Sequence, residues 1–246
     1  MVEVTVIIPV YNEEKVIQKT AESTINFLNI NKYDYSILIA NDGSTDKTRE
    51  IINELCKKNE RLRCVDLNKN KGRGAVLSKA LSVCDSEYAI YFDADLQINL
   101  SIFDSVLQGL KNGSDICIGS KHHFQSEIEY PLIRLFASKC YRLLCKLILN
   151  SEITDYQCGF KGFNVKRIKS LLPFIKQPGW AWDTEVLVKS LWAGFKIKEF
   201  PVKIQNVYSR DSKVNLLRDI FRMGNSLMQI KKDKCLFIES IKKIQK

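Results

Sequence analysis

Three oxygen-bearing side chains stand close together at positions 93, 95 and 97: Asp93, Asp95 and Gln97. They follow the apolar run Tyr88-Ala89-Ile90-Tyr91-Phe92, which reads as a buried strand. In extended backbone, side chains two apart share a face, so Asp93 and Asp95 are expected to point the same way, with Gln97 continuing the alternation. Two carboxylates and an amide oxygen form an all-oxygen set that suits Mg²⁺ or Mn²⁺ better than zinc, and such a cation is typically shared with a diphosphate. The alternative is that the two acids merely cap a helix opening at Ser101.

The elements around this set decide between the two. Residues 4–10 (Val-Thr-Val-Ile-Ile-Pro-Val) are continuously apolar, as in a parallel strand buried on both faces. Tyr11-Asn12-Glu13-Glu14 is expected to open a helix with Asn12 as N-cap and a stripe of Ile17, Ala21, Ile25 and Leu28. A strand over 35–40 runs into Asn41-Asp42-Gly43-Ser44-Thr45-Asp46 and a helix bearing Ile51, Ile52 and Leu55. A strand over 62–67 meets Asn70-Lys71-Gly72-Arg73-Gly74 before a helix over 75–84. After the acidic turn come a helix over 101–111 and a strand over 115–120. Alternating strands and helices predict an α/β fold with a mainly parallel sheet, whose ligands sit beyond the carboxyl ends of the strands. Tyr11, Asp42, Gly72 and Asp93 to Asp95 all fall there, so one crevice is expected to gather them around a nucleotide-type ligand. The glycine-rich turn is neither a Walker loop nor a dinucleotide fingerprint, yet basic groups at its helix N-terminus favour an anion.

The chain has 246 residues, enough for one large domain with a full core. Its eight cysteines include no Cys-x-x-Cys pair and read as reduced packing residues of a cytosolic protein. The start leads directly into a strand, which predicts no signal peptide. The longest charge-free runs, 4–12 and 23–31, are nine residues each, far short of the ~20 a spanning helix needs. Net charge is +10, of which residues 205–246 carry +6 through ten Lys/Arg against four Asp/Glu. No basic patch interleaved with aromatics accompanies it, so nucleic acid is not the expected partner.

Taken together and in this order, the motifs resemble the inverting glycosyltransferases of family 2, which have the GT-A fold: Ile8-Pro9-Val10-Tyr11-Asn12-Glu13, Asn41 to Asp46, Asn70 to Gly74 and Asp93-Ala94-Asp95-Leu96-Gln97. The second half is similar to the dolichol-phosphate mannose and glucose synthases. There the matches are Gly119-Ser120-Lys121, Asp155-Tyr156-Gln157-Cys158-Gly159-Phe160-Lys161, Trp182-Asp183-Thr184-Glu185, Glu199-Phe200-Pro201-Val202 and Arg210-Asp211-Ser212-Lys213.

The resemblance implies a GT-A catalytic domain over 1–213 and a basic amphipathic helical tail over 214–246. It implies a donor pocket of Pro9, Tyr11, Glu13, Asp42, Lys71, Arg73, Asp93, Ala94 and Lys121, with Asp93, Asp95 and Gln97 holding Mg²⁺ or Mn²⁺. Asp95, Arg210, Lys213 and Asp155 are the implied catalytic set, and Arg134, Ser138, Lys161 and Arg210 the implied acceptor-phosphate set. Lys121 stands where those synthases usually have Arg, keeping the charge without the bidentate fork. The expected reaction moves a hexose from GDP-mannose or UDP-glucose to a polyprenyl or dolichyl phosphate; a saccharide or other non-lipid acceptor is the alternative. Asp183 and Glu185 are further candidates for acceptor orientation, with helix capping as the other reading of Asp183. His122 and His123, adjacent on the chain, are expected in a loop beside the donor rather than on a shared metal.

A lipid acceptor requires membrane contact. Residues 130–149 read as a helix with apolar Leu132, Leu135, Phe136, Leu143, Leu144 and Leu147 and a stripe of Arg134, Ser138, Arg142 and Lys146. Leu216, Leu217, Ile220, Phe221, Leu227 and Met228 repeat the design among Arg218, Arg222, Lys231 and Lys232. Such helices suit an interfacial position on anionic lipid, or packing on the domain. The resulting expectation is a cytoplasmic enzyme peripheral on a membrane face, alone or as one subunit of an assembly with a membrane-anchoring partner.

Overall fold

The computed structural model describes residues 2–129, 132–204 and 216–244, with backbone alone for 132–136, 216–223 and 244. Arg210 and Lys213 lie outside the described residues, as does the side chain of Arg134.

The apolar runs become the strands β1 (Val4–Val10), β2 (Tyr35–Asn41), β3 (Leu62–Asp66), β4 (Tyr88–Phe92) and β5 (Ile116–Ser120). Every residue of β1, β2, β4 and β5 is buried, which is why none of these strands alternates in sequence. A short strand β6 (Glu127–Ile128) precedes β7 (Phe160–Asn164), β8 (Ile197–Pro201) and β9 (Lys203–Ile204). The main sheet has the order β3-β2-β1-β4-β7-β5-β8, and β6 pairs with β9 apart from it. Its pairs are parallel except at β7, which runs antiparallel to both β4 and β5. The expectation of a mainly parallel α/β sheet holds, with β7 inserted between β4 and β5.

Helices cover both faces. The helices α1 (Ile17–Ile30), α2 (Thr48–Lys58) and α4 (Ile102–Lys111) pack on one side, where Ile17, Ala21, Ile52 and Phe103 meet Val6, Ile8 and Ile39. On the other lie α3 (Arg73–Val83), α5 (Leu132–Leu149), α6 (Val165–Leu171) and α7 (Ala181–Trp192), whose core includes Val76, Leu77, Cys145, Ile168 and Val186 around Ile7, Ala40 and Ile118.

The last two helices, α8 (Leu216–Lys232) and α9 (Lys234–Ile244), send Leu227, Ile230, Phe237 and Ile241 into that same core. Asp233, at their junction, lies 2.9 Å from Lys176 and 3.7 Å from the buried Lys189. The described part of the tail is therefore packed on the domain. On α5 the reverse holds: Cys145 and Leu149 are buried, while Leu143 and Leu147 are 57% and 70% exposed.

One boundary differs from expectation. Helix α1 begins at Ile17 rather than directly after Asn12. Asn12 has a φ of 55°, and its side-chain oxygen accepts the N–H of Thr45 at 2.8 Å instead of capping its own helix. Asn12 N–H donates to Ser44 Oγ at 2.9 Å and Glu13 N–H to Thr48 Oγ1 at 2.8 Å. The first βα loop is thus spent on bonding the second.

Candidate active site

Strand β4 stops at Phe92 and the chain turns: Leu96 N–H returns to the Asp93 carbonyl at 3.2 Å, and Leu96 takes a φ of 49°. The expected extended alternation through Gln97 does not occur, because a turn rather than a pleat carries Asp93, Asp95 and Gln97. The turn is held from α1, where Thr20 Oγ1 donates to the buried Ala94 carbonyl at 2.5 Å. Asp93, Asp95 and Gln97 nevertheless line one open cleft, together with Lys121, Gln157 and Gly159. Neither acid caps α4, whose start is served by Asn99 Oδ1 accepting Ser101 N–H at 2.8 Å. Among the described residues, no group of three or more His, Cys, Asp or Glu side chains forms a complete metal cage. Two carboxylates and an amide instead suit a hard cation that takes its remaining oxygens from a ligand.

Behind this turn lies a network of opposite charges. Arg73 opens α3 and forks between two acids, with Nη1 donating to Asp183 Oδ2 and Nη2 to Asp93 Oδ1, each at 2.6 Å. Its guanidinium also lies over the rings of Tyr91 (5.1 Å) and Trp180 (5.3 Å). Asp183 accepts the Tyr91 hydroxyl and faces the Lys161 ammonium at 2.8 Å. The pairing of β4 with β7 sets this geometry by putting Lys161 directly opposite Tyr91.

Burial alone would raise the pKa of Asp183, but Lys161 and Arg73 outweigh it and hold the carboxyl below its usual range. Burial and Asp183 push Tyr91 well above a normal phenol, so it stays a donor. Lys161 was an expected acceptor-phosphate ligand; its side chain is sealed from solvent and its ammonium is engaged by Asp183 and the Cys158 carbonyl. It braces the floor of the site.

Asp42 directly follows β2 and is buried, its two oxygens accepting the N–H groups of Lys71 (2.8 Å) and Gly72 (2.9 Å). Burial outweighs these bonds and lifts its pKa above the carboxylate norm. The anion drawn to the glycine-rich turn is thus, in this arrangement, a side chain of the protein itself. Gly72 has a φ of 106°, and a Cβ there would meet the Pro178 carbonyl. The Lys71 side chain is exposed, Pro9 is buried within β1, and Tyr11 beyond it is 39% exposed.

At the other end of the cleft, Lys121 follows β5 and pairs with the buried Asp155 at 2.9 Å, while its N–H bonds the same carboxylate at 2.8 Å. Against the upward push of burial, Lys121 keeps the Asp155 pKa low. Ser138, on α5, meets His122 Nε2 at 2.9 Å. Glu185 is structural: it accepts the N–H groups of Lys176 (2.8 Å) and Gln177 (2.7 Å) and pairs with Lys189.

Sequence reasoning gave Tyr91 and Gln157 no role, although Tyr91 orients Asp183 and Gln157 lines the cleft. A signal for the network was present in Phe160-Lys161-Gly162-Phe163: a lysine inside an apolar strand must find a buried acid.

The description Glycosyl transferase family 2 matches residues 5–172. Glycosyltransferase AglD of Haloferax volcanii is 32% identical over 231 residues, which cover 93% of this chain and 37% of that protein. Dolichyl-phosphate beta-glucosyltransferase of Saccharomyces cerevisiae is 27% identical over 248 residues, covering 92% of this chain and 73% of the relative. Among solved structures, glucosyl-3-phosphoglycerate synthase from Mycobacterium tuberculosis, in complex with Mn²⁺, UDP and phosphoglyceric acid, has a TM-score of 0.68 at 15% identity. That match covers 95% of this chain and 78% of the synthase, and it speaks to the fold. With more than half its length matched by the family description, the chain belongs to glycosyl transferase family 2.

Proposed function

We propose that this glycosyltransferase moves a hexose, with inversion, from a nucleotide-diphosphate sugar to a polyprenyl or dolichyl phosphate. The observation that carries the reading is the shared cleft at the carboxyl end of β4, lined by Asp93, Asp95, Gln97 and Lys121. The named relatives favour glucose over mannose, and so UDP-glucose as the first donor to try.

In this reading Asp93, Asp95 and Gln97 would hold Mg²⁺ or Mn²⁺, whose charge would offset that of a nucleoside diphosphate. Pro9, Tyr11, Glu13, Asp42, Lys71 and Ala94 form the donor pocket. Arg210 and Lys213 supply further positive charge for the diphosphate and, with Arg134, for the acceptor phosphate, to which the Ser138 hydroxyl offers a neutral hydrogen bond. A phosphate monoester has a second pKa of about 6 and arrives ionised, so attack at the anomeric carbon calls for positioning more than for a base. The state of the nearby acids agrees: Asp155 and Asp183 are ion-paired with depressed pKa values, which makes them poor proton acceptors.

Among the described residues no helix is long and apolar enough to cross a membrane. The outward Leu143 and Leu147, flanked by exposed Lys139 and Lys146, support docking of α5 on a membrane surface, in line with a peripheral place on its cytoplasmic face. This chain spans little more than a third of the length of AglD; a membrane-anchoring subunit belongs to the proposal as well.

A soluble phosphorylated acceptor is the second reading, favoured by the phosphoglyceric acid in the structural neighbour's complex. The test is incubation with Mn²⁺ or Mg²⁺, vesicles bearing polyprenyl phosphate and each labelled nucleotide sugar in turn. Organic-extractable label with one donor supports the proposal and names the sugar. Water-soluble product alone overturns the lipid acceptor.

A further inference from the structure

The structure assigns Arg73 a positioning role in the cation site: it fixes the Asp93 carboxylate from behind by bridging it to Asp183. The inference rests on the reading of Asp93, Asp95 and Gln97 as the cation-holding set, and it departs from Arg73 as a direct ligand of the nucleotide sugar.

Three observations carry it. First, both terminal nitrogens of the guanidinium are used on acids, one on Asp93 and one on Asp183, at 2.6 Å each. The third nitrogen, Nε, is buried and has no hydrogen-bond partner among the described residues, so both hydrogen bonds of the guanidinium go to acids. Second, the far anchor is rigid. Asp183 is held by the Tyr91 hydroxyl and the Lys161 ammonium, and Lys161 is locked opposite Tyr91 by strand pairing. Third, Asp93 is confined on its other side. Its second oxygen lies over Gly159, where a Cβ would collide with the carboxylate, and its N–H bonds the Gly159 carbonyl at 3.2 Å.

A line of contacts thus runs from Lys161 through Asp183 and Arg73 to Asp93, while Asp95 sits at the exposed end of the turn. Outer partners that orient a metal-binding carboxylate typically alter metal affinity by about 10- to 100-fold when removed. A cation near Arg73 is also repelled by its charge, and the two effects have opposite signs. Arg73→Lys separates them, because it keeps the charge and loses the two-armed fork.

The experiment is Mn²⁺ titration of the whole chain, read by electron paramagnetic resonance, with and without UDP, and UDP binding without metal as a second readout. Arg73→Lys is expected to weaken Mn²⁺ binding about tenfold and to leave metal-free UDP affinity unchanged. Asp183→Asn, at a residue that does not line the cleft, is expected to shift Mn²⁺ affinity in the same direction, and the double variant no further than the larger single one. Should Asp183→Asn not fold, Arg73→Lys in an Asp93→Asn background serves instead, where it is expected to add nothing. Unchanged Mn²⁺ affinity in Arg73→Lys overturns the positioning role. So does a loss of metal-free UDP binding with Mn²⁺ binding intact, which makes Arg73 a donor ligand. Wild-type protein that binds no Mn²⁺ in either condition overturns the cation reading itself, and this inference with it.

Discussion

The Lys161 ammonium lies 2.8 Å from Asp183 Oδ1, with the two side chains only 0% and 3% exposed. A charge pair so far from water is costly to break, since the surviving partner stays buried with its charge. Lys161→Met is therefore expected to lower stability by about 3 kcal/mol, the lower end for a broken buried pair, because Arg73 and Tyr91 still hold Asp183. Urea unfolding checks this; a loss below about 1 kcal/mol, the worth of an exposed pair, contradicts it.

Asp155 gives a prediction in pH. Lys121 holds its folded pKa below the ordinary value of about 3.9, so its contribution is complete above that value and is lost as pH falls through the lowered one. Asp155→Asn is expected to be less stable than wild type at pH 7, with the gap narrowing below about pH 4. Urea midpoints at pH 7, 5 and 3.5 measure it, and a gap that stays constant into acid contradicts the assignment.

The outer face of α5 is tested by Leu143→Glu with Leu147→Glu. Both leucines are exposed, so the melting temperature is expected to change little. Binding to anionic vesicles in a sedimentation assay is expected to fall by about tenfold or more, since inserting each leucine contributes about 1.5 kcal/mol or more. Equal vesicle binding by the double variant removes α5 from the membrane face.

Much of the fold was legible because β1, β2, β4 and β5 are apolar runs buried on both faces, and their carboxyl ends announced the site. What was not legible depends on long-range pairing. Phe160-Lys161-Gly162-Phe163 shows a lysine in apolar company, but only insertion of this strand between β4 and β5 brings that lysine to Asp183. Asn12 looked like a helix cap because caps are local, but its partner is Thr45 on another loop. Arg73 looked like a phosphate ligand because its two acids, Asp93 and Asp183, stand 20 and 110 residues away. Leu143 and Leu147 share one helix with Cys145 and Leu149, and only the placement of α5 decides which face is buried.

The most direct test of the central claim is lipid-extractable label formed from UDP-glucose, polyprenyl phosphate and Mn²⁺ by wild type and by Asp95→Ala. The account predicts transfer by wild type that chelation abolishes, and at least about a 100-fold loss in Asp95→Ala with the fold intact, the scale of removing one electrostatic stabiliser. Undiminished transfer by Asp95→Ala with metal chelated would contradict it.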